Sequence, residues 1–421
     1  FHASMAFFAL LLAATPRRVA VVGAGPAGLT LANSLNQFAA TSAWDVKVFE
    51  QQQALRPSVG GGLQLTSGAS VLRRLGIDVR PNALPLRRVV SRRVDGLPLL
   101  RLDVSAALRR AKLLDDEDGA DGAFAIMRDG LLTLLAAPLP AGTLRFGRRL
   151  VGTRQLPRGG VLCRFDDGEE EEFDLVVGGD GAKSAVKECA FADAPRALPS
   201  GIKLVLGVAP RGTRPAGSED EFHQWMGDGV YCLSASYGGG ADGGNDMIAL
   251  CFREEAAGSE NAKWDAEALR APTLARMKAA RMPAEVLALA DGADRFYATS
   301  VYYRNPQLRW HEGGAVLAGD AAHAIPPFLG QGANQAICDG YALAKELEQV
   351  GALHPTMESA LQAYTKKRLF PTTRLMFNSR FLGFLETQEG SGAEFRDAFF
   401  KFTGAVGIAE AVFIDGATPR V

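Results

Sequence analysis

Residues 314–334, GAVLAGDAAHAIPPFLGQGAN, set a carboxylate, two adjacent prolines and closely spaced glycines between an apolar run and a helical pattern. Asp320 follows the buried-strand run 315–318 and can accept hydrogen bonds from the hydroxyls of a ligand. Pro326 and Pro327 stiffen the turn, while Gly330 and Gly332, lacking Cβ atoms, let backbone N–H groups come close to a ring or a phosphate. The helix expected from Ala333 and Asn334 onward points the positive end of its dipole at the same place. A lone Gly-Asp pair reads as a turn; strand, carboxylate, rigid turn, glycines and helix start in this order read as a cofactor-binding element.

A second glycine cluster lies near the start of the chain. Residues 17–28, RRVAVVGAGPAG, form an apolar strand running into Gly23, Gly25, Ala27 and Gly28, with a helical stretch over 29–38. This is the dinucleotide fingerprint in its required strand-turn-helix setting: the first glycine makes the turn, the second admits a pyrophosphate, and the third lets helix pack on strand. The next strand, 45–49, ends in Glu50, 22 residues past Gly28 (50 minus 28), where a carboxylate can hold the ribose hydroxyls of an adenosine. The run 238–243, GGGADG, spells the same glycine pattern, but a strand returns at Met247, so it is expected to be a hairpin tip that binds no nucleotide.

The segment GDAAHAIPPFLGQGANQAICDGYALA resembles the flavin-contacting segment of the group A flavoprotein monooxygenases, the p-hydroxybenzoate hydroxylase type of fold, which includes aromatic hydroxylases and zeaxanthin epoxidase. Two further segments match that family in the same order, so the resemblance spans roughly residues 17–380. DLVVGGDGAKSAVK, 174–187, is similar to the segment whose Asp, here Asp180, serves both FAD and the approach of the pyridine nucleotide; Lys187 stands near a position where the family has Arg. RPSVGGGLQL, 56–65, resembles a Gly-rich loop in which an Arg, here Arg56, and glycines, here Gly61 and Gly62, border the flavin. Arg128, opening a helix expected over 131–137, matches an Arg that reaches the cofactor. In that resemblance Pro327, Gly330, Gly332, Ala333 and Asn334 lie along the flavin, Asp320 holds its ribitol chain, and His323 supports the loop by hydrogen bonding. The resemblance implies an FAD enzyme, reduced transiently by NADPH or NADH, that hydroxylates or epoxidises a small aromatic or apolar substrate with O2 through a flavin C4a-hydroperoxide. A reductase or halogenase of the same fold and a ligand-binding regulatory protein stay as alternatives. No catalytic acid or base is assigned, and the substrate-lobe residues His223, Trp225, Tyr231 and Tyr237 are either pocket lining or core.

A length of 421 residues exceeds what one core usually serves, and 47% hydrophobic with 22% charged residues leaves ample core material. The expected fold class is α/β (α+β, two lobes): a Rossmann-like FAD-binding domain over 17–85, 122–195 and 293–350, an inserted, mostly antiparallel β-sheet substrate domain over 86–121 and 196–292, and a C-terminal helical region over 351–421. Strands are expected within 86–104, at 203–208, 229–237, 247–253 and 295–303. The acidic run 166–172 is read as a solvated turn, and Pro371 is expected to kink or break the helix 357–384.

A formal net charge of −1, with scattered Arg doublets, argues against a nucleic-acid partner. Five cysteines without a CxxC pair argue against a disulfide framework or zinc, and no metal site is expected. Phe1 in place of an initiator Met and the apolar run 5–14 leave an N-terminal extension or targeting remnant over 1–16 equally open. That run is too short to span a bilayer. The compartment, cytoplasmic or organellar, a peripheral membrane contact, and a monomer or homodimer all stay open on sequence alone.

Overall fold

The computed structural model describes residues 16–38, 44–55, 61–114, 122–191, 193, 195, 197–240, 243–254 and 263–421. Arg56, the apolar N-terminal run and the acidic loop 115–121 lie outside the described residues.

One sheet has six strands in the order His311–Glu312, Ala315–Leu317, Leu175–Gly178, Arg17–Val22, Trp44–Glu50 and Leu144–Phe146. All neighbours pair in parallel except the antiparallel edge strand His311–Glu312. Parallel strands covered on both faces need near-continuous apolar sequence, and Val19–Val21, Val176–Val177 and Val316–Leu317 are entirely buried. The helices Pro26–Phe38 and Gly332–Glu348 pack closely on each other beside this sheet. Their contact needs Gly340, where a Cβ would stand 2.5 Å from the Ala27 carbonyl oxygen.

A second sheet of eleven strands is mostly antiparallel, with the main order Lys263–Trp264, Arg295–Tyr303, Leu198–Pro210, Gly244–Arg253, Val230–Gly238, Glu221–Met226, Arg88–Arg93 and Pro98–Asp103. The α/β class with a parallel cofactor sheet, a mainly antiparallel sheet and C-terminal helices is thus the observed architecture. Three short strands from segments assigned by sequence to the cofactor lobe, Gly62–Leu65, Leu84–Pro85 and Phe124–Met127, join this larger sheet, as does Arg295–Tyr303. The strand Glu221–Met226 was not anticipated: its sequence, EFHQWM, is rich in polar residues, and its place is set by pairing with Val230–Gly238 and Arg88–Arg93.

Two expectations are corrected. The acidic run is a turn only over 166–169, because Glu170–Phe173 is the edge of a three-stranded sheet and Glu171 is drawn into contact with Lys47 (2.8 Å), Arg148 (3.0 Å) and Arg18 (3.3 Å). Pro371 does not end its helix, which runs unbroken from Met357 to Glu386. Pro371 is buried there, and the Thr372 hydroxyl donates to the Arg368 carbonyl 2.8 Å away, so tertiary packing and a side-chain bond carry the turn around it. Among the described residues no helix is long and apolar enough to cross a membrane.

One buried carboxylate joins the sheet to three helices. Asp339 accepts from the Gly319 backbone N–H (2.8 Å), lies 2.5 Å from His323 Nε2, and accepts from Arg368 Nε (2.6 Å); Asp339 and Arg368 have fully buried side chains. Arg368 also donates to Gln335 Oε1 (2.7 Å) and to the Arg420 carbonyl (2.8 Å), so the C-terminus is tied to the same point. Burial alone pushes the Asp339 carboxyl up, but His323 and Arg368 outweigh it and hold the group below the usual carboxylate range. Removing one partner of such a pair leaves an uncompensated buried charge. Asp339→Asn is expected to destabilise the protein by about 3–5 kcal/mol, read as a lowered urea midpoint; an unchanged midpoint contradicts this role.

Candidate active site

The carboxyl ends of four adjacent parallel strands line up, with Leu317, Gly178, Val22 and Phe49 in register as successive neighbours. Just beyond them come Asp320, Asp180, Gly23 and Glu50, so three carboxylates and the fingerprint glycines share one edge about 14 Å long, three inter-strand spacings. Open α/β sheets bind ligands at this edge.

Each turn there depends on a missing side chain. Gly23 sits at φ +102°, and a Cβ on it would be 2.5 Å from the Gly179 oxygen; one on Gly28 would be 2.2 Å from the Gly23 oxygen. The turn into the helix Pro26–Phe38 is therefore closed by close backbone approach, leaving its first N–H groups facing outward. Glu50 braces that turn by accepting from the Ala24 N–H at 3.1 Å and from the Gln52 N–H at 2.9 Å.

A cleft of about 1090 Å³ runs from this edge to the larger sheet. Gly23, Gly25, Ala27, Glu50, Gly61, Gly62, Arg128, Asp180, Asp320, Pro327, Gly330, Gly332 and Ala333 all line it, so most of the residues singled out by sequence converge. Gly28 stands behind the wall as a packing residue, and Arg56 lies outside the described residues. The Asn334 side chain is fully buried away from the cleft. Its oxygen accepts from the Thr66 (2.8 Å) and Gly68 (3.0 Å) N–H groups, and its amide donates to the Gln64 (2.9 Å) and Gly330 (3.2 Å) carbonyls. Asn334 thus fixes the segment 64–68 against the glycine turn.

The polar atoms along the cleft are incompletely satisfied by protein. Asp180 Oδ2 accepts from the Ala185 (2.7 Å) and Val186 (3.2 Å) N–H groups, whereas its buried Oδ1 has no partner. Asp320 makes no hydrogen bond to the described residues, and it stands exposed where it borders the cleft. Burial raises both carboxyls above their ordinary value. For Asp320 this wins over the lowering by His323, and Asp339 adds to the rise.

Lys187 is a neighbour, not a lining residue. It is 2% exposed and its ammonium donates to the Ala321 carbonyl at 3.2 Å, so it props the turn after Asp320 and does not present its charge to a nucleotide. Burial, and Arg304 second, lower it to about 8.

Of the four substrate-lobe candidates, Tyr231 and Tyr237 line the cleft. Trp225 is opposite Cys232 on the other face of the sheet, packed against the helices Ala266–Ala279 and Ala284–Asp291, and His223 shares that face and meets Glu221 at 2.7 Å. The strands on either side of the GGGADG run pair antiparallel, and a strand, not a helix, follows it; Ala241 and Asp242 lie outside the described residues. Sequence reasoning missed Asp339; its signal was an acid in the middle of a helix otherwise periodic in apolar residues.

The FAD binding domain family matches residues 17–379. A 3-amino-4-hydroxybenzoate 2-monooxygenase, PtmB3 of Streptomyces platensis, is 32% identical over 364 residues, covering 84% of each chain. The chain belongs to the FAD-dependent monooxygenase family. Among solved structures, Klebsiella pneumoniae HpxO complexed with FAD and uric acid matches with a TM-score of 0.80 at 20% identity, covering 96% of this chain and 97% of that one. A salicylate hydroxylase substrate complex matches with a TM-score of 0.72 at 20% identity, covering 97% and 99%. These two show the fold. FAD is the cofactor of this monooxygenase family, and the unpartnered Asp180 oxygen, the free Asp320 carboxylate and the side-chain-free turns fit it.

Asp320→Ala is expected to reduce the FAD retained after dialysis, measured by absorbance against protein; undiminished flavin content contradicts a contact. In FAD-free protein, Asp320→Asn should raise the melting temperature at neutral pH. That gain should shrink as pH falls through the raised Asp320 pKa, because a carboxyl whose folded pKa exceeds its unfolded value penalises the fold only where it is ionised. A gain independent of pH contradicts it.

Proposed function

We propose that this monooxygenase takes two electrons from NADPH or NADH and places one atom of O2 in a small aromatic or apolar substrate, by hydroxylation or epoxidation, releasing the other as water. The observation that carries this reading is the single cleft that joins the carboxylate and glycine edge of the parallel sheet to an apolar wall of the larger sheet. The aromatic acids in the printed names of the relatives support an aromatic substrate.

In this reading the N–H groups at Gly25 and the helix start of Pro26–Phe38 receive the pyrophosphate, Glu50 the adenosine ribose, and Asp180 and Asp320 the hydroxyls of the ribityl chain. Arg128, whose charge is felt at Asp320, lies along the same stretch. Bound FAD supplies the redox and oxygen-activating chemistry. The chain supplies placement and charge. Gly330, at φ +63°, closes the turn by donating its N–H to the Pro327 carbonyl at 2.9 Å, and the start of the helix Gly332–Glu348 presents backbone N–H groups where negative charge on a reduced ring is favoured, by up to about 2 kcal/mol in a partly buried setting. Pro327 and Phe328 border the cleft, and the Phe328 ring fills the space over Gly383, so this side is closed by the long C-terminal helix. Such closure keeps water from the reacting centre.

The purified protein is expected to show an oxidised-flavin spectrum that bleaches with NADPH or NADH and recovers in air, faster when substrate is present. Mass spectrometry of phenolic and isoprenoid panels should find a product heavier by one oxygen. Bound flavin that neither nucleotide reduces contradicts the reading.

A further inference from the structure

The larger sheet presents one face to the cleft, and strand alternation fixes which side chains that face carries. Leu204 pairs opposite Cys251, and Cys251 opposite Tyr231; Leu206 pairs opposite Ala249, and Ala249 opposite Leu233. With Met247 these side chains form a wall from three adjacent strands, and all of them border the cleft. They are aliphatic, aromatic or sulfur-bearing. None of the cationic side chains bordering the cleft among the described residues, Arg128, Arg148, Arg149 and Lys183, belongs to these three strands. Arg148 and Arg149 follow the strand next to Glu50, with Arg148 N–H bonded to the Glu50 carbonyl, Lys183 follows Asp180, and Arg128 opens its helix with its N–H bonded to the Gly61 carbonyl at the Leu206 and Met247 end of the wall.

The wall has one well-defined polar anchor. Gln224 uses its side-chain oxygen to accept from the Ser91 hydroxyl, so its amide N–H donates to the Tyr231 oxygen at 3.1 Å. The Tyr231 phenol therefore receives a bond and keeps its own proton, for which the described residues provide no acceptor. Tyr231 is 5% exposed and borders the cleft. Burial, with the neighbouring Glu386 second, lifts its pKa well above the ordinary value, so the phenol stays a donor at every working pH. A buried donor without an acceptor selects a ligand that brings one.

We infer that the substrate is an uncharged ring compound with a neutral acceptor that meets the Tyr231 phenol, and that this wall discriminates against aromatic carboxylates. The inference rests on the cleft being the oxygenation site. A carboxylate held against Leu204, Leu206, Leu233 and Met247 loses its hydration without meeting a cation on these strands, whereas an ester, ketone or ether accepts from Tyr231 with little loss. The ring itself gains from the apolar faces.

The test uses FAD-loaded protein near neutral pH and two matched pairs: methyl 4-hydroxybenzoate against 4-hydroxybenzoate, and methyl 6-hydroxy-2-naphthoate against 6-hydroxy-2-naphthoate. Binding is read from the change in flavin absorption and turnover from the product one oxygen heavier. The neutral member of each pair is expected to bind at least about tenfold more tightly, and Tyr231→Phe to weaken it by about tenfold at unchanged FAD content. Leu204→Lys, which sets a cation into the wall, should narrow or reverse the preference. Equal or tighter binding by the carboxylates overturns the inference while leaving the monooxygenase reading intact if those acids gain oxygen. Failure of both esters to bind overturns it as well. Tight ester binding without any oxygenated product from any compound, in protein whose flavin is reduced by NADPH, sinks the monooxygenase reading and not the polarity of the wall.

Discussion

Asp339 is the constraint on which the cofactor edge depends. A turn such as Gly319–Asp320, with Gly319 at φ +62°, has few hydrogen bonds of its own and must be held from outside. Asp339 holds it by taking the Gly319 N–H directly and by fixing His323 one helical turn further on. Arg368 supplies the charge that lets a carboxylate exist at full burial, and its remaining donors reach Gln335 and Arg420. The parallel sheet, the helix Gly332–Glu348, the long helix Met357–Glu386 and the chain end are thereby joined at one group. Such a pair contributes less to net stability than its contact distances suggest, since desolvation offsets the attraction; what it secures is a single position for the turn.

The Asp320 carboxylate shows the converse. Its carboxyl is raised above the ordinary value, and it borders the cleft without a hydrogen-bond partner among the described residues. Asp180 repeats it with one oxygen satisfied at the start of the helix Ala185–Ala190 and one not. Two neighbouring strand ends thus carry acceptors with open valence, while the structural carboxylates Asp339 and Glu171 are fully engaged. That contrast separates Asp180 and Asp320 from the scaffold acids; Glu50, with each oxygen accepting from a backbone N–H, stands between the two groups.

Local chemistry was legible in the sequence; long-range pairing was not. The fingerprint at 17–28, Asp180 and Asp320 could be read because each is a strand end with a glycine turn, a pattern complete within about ten residues, and Glu50 because it ends the next strand 22 residues past Gly28. Asn334 was read as part of the same string, but its partners Thr66 and Gly68 are 268 and 266 residues away, so its work as a clamp had no sequence signature. Pro371 was overweighted for the same reason: an intrinsic preference against helix yields when the residue is buried on a helix packed along most of its length. The strand Glu221–Met226 went unread because its polar composition hides a position decided by two neighbours.

The substrate wall stands between these cases. Strand alternation in 230–238 and 244–253 was visible as pattern, but both faces of those strands are buried, so apolar character could not say which face met the cofactor. Register resolves it. Tyr231 and Trp225 are both aromatic residues on neighbouring strands, yet Trp225 is opposite Cys232, one step out of phase with Tyr231, and a one-residue offset sends a side chain to the opposite face. The helices Ala266–Ala279 and Ala284–Asp291 cover the face that Trp225 occupies, and the Tyr231 face is shared between the cleft and Leu385 and Phe400 of the C-terminal helices. Cys232 and Cys251 divide in the same way, which is why two thiols on paired strands remain free. The chemistry of oxygen transfer is common to the family, but the register of this sheet decides what it is offered.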